Sequence, residues 1–150
     1  MPAARDSPMP KSVAIDANVI VRYLTGDDPV QSRAATELFR AAGTGRVILI
    51  IPTVILQETV YVLETFYAGT PETIAPKLTS LLSLNGVTCP DARWVLDAIQ
   101  WYRAKNSDFG EALLCAYARH HHCEVSTFDK DLIKKFTEVE AVAPQSRVKT

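Results

Sequence analysis

Five acidic residues stand where chemistry is commonly done. Asp16 closes the apolar run Val13–Ile15, with the small polar Asn18 two residues on. Glu58 lies within a helical pattern, Asp108 and Glu111 open another, and Asp129 follows the run that ends in Thr127. In open α/β sheets ligands bind outside the carboxyl ends of the strands, which is where Asp16 and Asp129 fall. Carboxylates gathered at such an edge cannot all ionise without a counter-charge. Oxygen-only donors suit hard divalent cations such as Mg2+ or Mn2+. One or two such ions can lower the pKa of a bound water and clamp the leaving oxygen of a phosphodiester. Whether Asp108 or Glu111 supplies the oxygen stays open at this level. Each acid also has a plain structural role, because Asp caps helices and acids complement a helix N-terminus.

The elements that position these residues follow from periodicity and punctuation. Lys11–Ile15 reads as a first strand and Ala17–Leu24 as a short helix closed by Gly26. Asp28-Pro29 then gives an N-cap with Pro at the first helical position, and Gln31 completes a capping-box spacing. Val30, Ala34, Leu38 and Ala41 form the apolar stripe of that helix, which Gly43 ends. Arg46–Ile51 is a β-branched run consistent with a strand buried on both faces. The helix from Pro52 to about Tyr67 offers a stripe of Val54, Ile55, Tyr61, Val62 and Thr65, with Glu58 on the same face. A carboxylate so placed is costly to ionise unless something meets it, whereas Glu64 lies off the stripe.

Thr70-Pro71 starts a helix carrying Ile74, Leu78, Leu81 and Leu82, in which Pro76 predicts a kink or a shifted start. Val87–Cys89 is a minimal strand. Asp91 caps a helix with Trp94, Val95, Ala98, Ile99 and Tyr102 as its core stripe, a spacing that favours packing over base stacking. Ser107 to about His121 is a further helix with Phe109, Ala112, Leu113, Ala116 and Tyr117 inward. Glu124–Thr127 is a strand and Asp131–Phe136 a short basic helix. Strands alternating with helices predict an α/β fold with a parallel sheet covered on both faces. Residues 1–11 read as a disordered lead-in, 12–143 as one domain and 144–150 as a frayed tail.

Composition narrows the function classes. The chain has 150 residues, 47% hydrophobic and 22% charged, with a net charge of −1; that is a globular composition, not a broadly basic nucleic-acid coat. No apolar run is long enough to span a bilayer, and the first residues lack the apolar segment of a signal peptide. Cys89, Cys115 and Cys123 match no zinc spacing and read as free thiols of a cytoplasmic protein. Three consecutive histidines, His120–His122, cannot all face one ion from a helix. Arg103, Lys105, Lys130, Lys134 and Lys135 are candidate phosphate contacts, each also explicable as a solvated helix face. Neither a Ser-His-Asp nor a Cys-His constellation is visible, and no Gly-rich phosphate loop exists.

Four segments in order, IDANVIVRYL, PTVILQETVYVLE, DFGEALLCAYA and STFDKDL, resemble the PIN domain, and more narrowly the VapC-type toxin ribonucleases of toxin–antitoxin pairs. The resemblance runs from Ser12 to Val142. It implies a Rossmann-like core of four to five parallel strands and an Mg2+- or Mn2+-dependent endoribonuclease, using one or two ions. It also implies a homodimer and a cognate antitoxin as partners. The family's acids map onto Asp16, Glu58, Glu111 and Asp129, supported by Asn18 and Thr127. Where the family reads D-F-A-D-A this chain has D-F-G-E-A, so Glu111 carries one more methylene than the usual Asp. Asp108, one turn earlier, is then an outer or water-mediated metal partner. Two other classes are weighed against the nuclease. One is a catalytically silent PIN-like module that binds RNA or protein. The other is a dehalogenase-like phosphatase or receiver; Asn18 stands where the phosphatase needs a second Asp, and the Val47–Ile51 run ends in Pro-Thr, not in a phosphoacceptor.

Overall fold

The computed structural model describes residues 9–148; the lead-in expected over 1–11 falls mostly outside them. Five short strands alternate with helices, and every strand pairing is parallel. The fold is therefore the α/β class that the alternation predicts. The ladders form two sets, a three-stranded sheet and a two-stranded one, and the chain divides into two compact units.

The first unit comprises the chain up to Thr59 together with Leu81–Pro90. Strand β1 (Lys11–Ala14) pairs with β2 (Val47–Ile50), and β2 pairs with β3 (Val87–Thr88). Helix α1 (Ala17–Thr25) starts at Asp16 and stops at Gly26, whose φ of 66° is the left-handed conformation that glycine adopts without strain. Helix α2 (Pro29–Gly43) starts at Asp28, whose carboxylate accepts from Val30 and Gln31 N–H. The other arm of the expected capping box is not made, since Gln31 Oε1 accepts instead from Arg22 Nε at 2.7 Å. The buried stripe of α2 is also displaced by one residue, to Ala35, Phe39 and Ala42, and Val30 is exposed. Phe39 decides this: it stacks on Tyr23 with ring centroids 4.1 Å apart, and an aromatic buries more area than Val30, Leu38 or the alanines of the alternative stripe.

The second unit comprises Val60–Ser80 and the residues from Asp91 on. Strand β4 (Val125–Ser126) pairs with β5 (Ala141–Val142). Helix α5 (Ala92–Ala104) buries Trp94, Val95, Ala98, Ile99 and Tyr102, the stripe read from spacing. Helix α6 (Phe109–His120) packs on α5 and buries Phe109, Ala112, Leu113 and Ala116 as expected. Tyr117 was expected inward but is half exposed, stacking edge-on against Trp94, while Cys115 and Ala118 take buried places. Helix α7 (Lys130–Lys135) follows β4. The tail read as frayed is held as far as Arg147. Pro144–Ser146 form a 3-10 turn, and Arg147 pairs with Glu124 and Glu140.

Two helices run through both units. Helix α3 (Thr53–Phe66) buries Leu56, Thr59, Val60 and Leu63, leaving Val54 and Tyr61 largely exposed. The expected stripe is thus rotated away, because Leu56, Val60 and Leu63 keep the i, i+4, i+7 spacing with better-buried aliphatics. Glu58 is consequently exposed, and it is not the buried carboxylate of that reading. Helix α4 (Pro71–Leu82) starts at Pro71 despite Pro76 within it. Thr70 and Thr73 cap its start reciprocally, Thr70 N–H donating to Thr73 Oγ1 at 2.9 Å, which fixes the start where the expectation allowed a shift. Ile74, Ala75, Leu78 and Leu81 are its buried residues.

Candidate functional site

Each candidate acid that ends a strand or opens a helix is fixed by capping. Asp16 Oδ1 accepts from Ala17 N–H at 2.8 Å, Asp108 Oδ1 from Glu111 N–H at 3.0 Å, and Asp129 Oδ1 from Asp131 N–H at 2.8 Å and Leu132 N–H at 3.2 Å. Short polar side chains at this position satisfy helix N–H groups that have no partner within the helix. The cap holds one oxygen and leaves Oδ2 outside it. The structural role and the chemical one are therefore compatible in the same side chain.

In the first unit Asp16 stands just past β1 and is exposed, as are Asn18 and Glu58. Asn18 lines a cleft of about 250 Å³ between α1 and α2 with Val19, Arg22, Gln31, Ala34, Ala35 and Leu38. The walls of that cleft carry no carboxylate, so it offers no place for a hard cation.

In the second unit the geometry is richer. Glu111 sits in the first turn of α6, partly buried, and its pKa is raised. Burial is the largest cause, followed by the charges of Asp108 and Asp129 and a hydrogen bond shared with the Asp129 side chain; Lys135 acts in the opposite sense. Asp129 is reached through Thr127, whose hydroxyl accepts from Asp129 N–H at 3.0 Å, while Thr127 N–H is itself tied to Val142 C=O at 3.0 Å. Of the acids read from sequence, the structure thus brings Asp108, Glu111 and Asp129 into one neighbourhood.

Glu64, set aside in the sequence as a solvated acid, belongs to the surroundings of Asp108. Partial burial of its carboxyl group and then the Asp108 charge raise its pKa. Beside it the hydroxyl of Tyr102 is buried with no partner at hydrogen-bond geometry. Burial first, and then the approach of Glu64, raise the phenol's pKa. No sequence signal could have joined Glu64 to Asp108, since they lie on helices far apart in the chain.

Among the described residues no three His, Cys, Asp or Glu side chains converge as a ready-made metal cage. The donor chemistry nevertheless fits a hard divalent ion. Carboxylate oxygens are its ligands, Mg2+ keeps several waters and uses one or two carboxylates, and like-charge crowding at Glu111 is what a cation relieves.

The family model of the PIN domain matches residues 13–138. The chain belongs to the PIN-domain family. This is a superfamily of nucleases and RNA-binding proteins, generally metal-dependent and typically using Mg2+ or Mn2+. The parallel α/β architecture agrees with its Rossmann-like fold. No curated protein matches the chain. No described helix is long and apolar enough to cross a membrane.

Proposed function

We propose that this PIN domain is an endoribonuclease, dependent on Mg2+ or Mn2+, and that it is the toxin of a toxin–antitoxin pair of the VapC type. The observation that carries the nuclease reading is the gathering of Asp108, Glu111 and Asp129, in which Glu111 is partly buried and also feels the charges of the other two. Structural caps alone need no such gathering; carboxylates whose charges press on one another are arranged as a cation or a proton transfer requires.

In this reading Glu111 and Asp129 are direct metal ligands and Asp108 acts through a water. Asp16 and Glu58 complete the catalytic set that the family implies, with Asn18 and Thr127 in support. When bound, one or two ions supply Lewis-acid activation of the attacking water and neutralise charge on the phosphate. The chain's own part is orientation. Thr127 and the α7 cap hold Asp129, and the Asp108 cap fixes the turn from which Glu111 projects. Lys135 is close enough to act on the Glu111 charge, and in this reading it serves a phosphate contact. A homodimer and an antitoxin that inserts a segment near the acids belong to the same proposal.

A catalytically silent module that binds RNA or protein is favoured by one observation, the absence of a preformed three-carboxylate cage among the described residues. Cleavage assays decide between the two. Wild-type protein with Mn2+ or Mg2+ should cleave total RNA, and chelator should stop it. Glu111→Gln should lose more activity and Mn2+ affinity than Asp108→Asn, for which a water-mediated role implies a loss of roughly 10–100-fold. Expression of wild type should arrest bacterial growth, while Asp129→Asn is tolerated. RNA left intact by the wild type with either ion would establish the silent module.

A further inference from the structure

Phe128 stands between Thr127 and Asp129 and is 79% exposed, more than any other aromatic among the large exposed apolar residues described. Its backbone is not loose. Thr127 N–H is bonded to Val142 C=O on one side, and Asp129 is held by the Thr127 hydroxyl and by its cap on α7 on the other. A phenyl ring kept in water by a fixed turn gains nothing from the fold, because no neighbour covers it. Beside it α7 carries Lys130 and Lys134, four residues apart and so on one helix face, both exposed. Lys135 Nζ lies 3.5 Å from Asn106 C=O. An exposed ring followed in the chain by exposed basic side chains matches the way proteins hold single-stranded nucleic acid, in which a ring stacks on a base and cations follow the phosphates.

We propose that Phe128 is a base-stacking residue for single-stranded RNA, seating the base of a nucleotide whose phosphate lies at Asp129. The inference rests on the nuclease reading above. Phe128 and Asp129 are consecutive, with Cα atoms about 3.8 Å apart, a spacing within the reach of one nucleotide and its neighbour. Stacking accepts any base, because every base has a π-face, so the contact gives register and not sequence choice. Lys130 and Lys134, exposed on the helix that follows, supply phosphate contacts to the flanking nucleotides. A duplex, whose bases are already stacked on one another, cannot use the ring.

The test uses the full chain with chelator present and a dye-labelled, randomised 12-nucleotide RNA, single-stranded or annealed to its complement, followed by fluorescence anisotropy. Phe128→Ala should weaken single-strand binding roughly 5- to 150-fold, the range for one base–aromatic stack, with no change for the duplex. Phe128→Leu, apolar but without a π-face, should weaken it as Ala does, whereas Phe128→Trp should restore wild-type binding and show quenched fluorescence when RNA is added. In cleavage assays with Mn2+ the Ala variant should raise KM more than it lowers kcat. Wild-type binding by the Leu variant, or equal losses on duplex and single strand, would overturn stacking while leaving the nuclease reading intact. Unchanged RNA binding with a shifted sedimentation coefficient would make Phe128 a protein contact instead. A wild type that neither binds nor cleaves RNA removes both readings.

Discussion

At the scale of single residues, capping separates what a substitution does to the fold from what it does to chemistry. Asn is as good an N-cap as Asp, so Asp16→Asn keeps the bond to Ala17 N–H and removes only the charge. Asp16→Ala removes both. The Asn variant should melt within about 0.5 kcal/mol of wild type, the Ala variant should lose about 1 kcal/mol, and neither should cleave RNA. Thermal melts beside a cleavage assay check this, and wild-type cleavage by either variant would remove Asp16 from the catalytic set. Glu111 gives the pH prediction. Its pKa in the folded chain lies above the ordinary 4.5 because of burial and then the Asp108 and Asp129 charges. The folded state therefore binds that proton more tightly than the unfolded one, and stability falls as pH rises from 4.5 through the raised value. In chelated protein Glu111→Gln should raise Tm at pH 7, with the gain shrinking as pH drops toward 4.5 and below. A gain that is equal at both ends of that range would show that ionisation of the partly buried Glu111 is not its origin.

At the scale of elements, Gly86 is the glycine of the first unit at which a side chain would meet the closest contact. Its φ is 81°, and a Cβ there would collide with the backbone carbonyl of Ala42 at the end of α2. Gly86 C=O also accepts from Leu49 N–H at 2.8 Å, so the residue joins a close approach to a strand pairing. Gly86→Ala should destabilise by about 2–3 kcal/mol or more, from the left-handed backbone plus the clash, measured by urea unfolding. A loss under half that would mean that α2 yields readily. Elements of this kind were legible wherever punctuation is chemical: Gly26, Asp28-Pro29, Gly43, the Thr70-Pro71 start and the α5 stripe all stand where the spacing places them. The stripes of α2 and α3 were not, since each helix offers two apolar faces and only tertiary packing chooses. Phe39 stacks on Tyr23, and Leu56, Val60 and Leu63 displace Val54 and Tyr61. That rotation is also why Glu58 is exposed. The acids at strand ends were readable from position alone. The nearness of Glu64 to Asp108 and of Glu111 to Asp129 needed coordinates, because it depends on which helix meets which.

At the scale of the whole molecule, two of the three points where the chain passes between the units were invisible in sequence because they fall within helices. They lie at Thr59–Val60 inside α3 and at Ser80–Leu81 inside α4, whereas the third, Pro90–Asp91, lies in the loop before α5. The first unit is thereby split in the chain, and its third strand is made only after Val60–Ser80. A polypeptide emerging from the ribosome must hold β1 and β2 for that interval with one side of the ladder open. Leu49 and Ile51 N–H, which later donate to Gly86 and Thr88 C=O at 2.8 Å each, have no strand to meet. A bare apolar edge of this kind invites pairing with other chains. Ribosome-arrested chains exposed only through Ser80 should accordingly be held by a peptide-binding chaperone, and those exposed through Pro90 released. Equal capture at both lengths would show that the late arrival of Val87–Thr88 carries no hazard for the newborn chain.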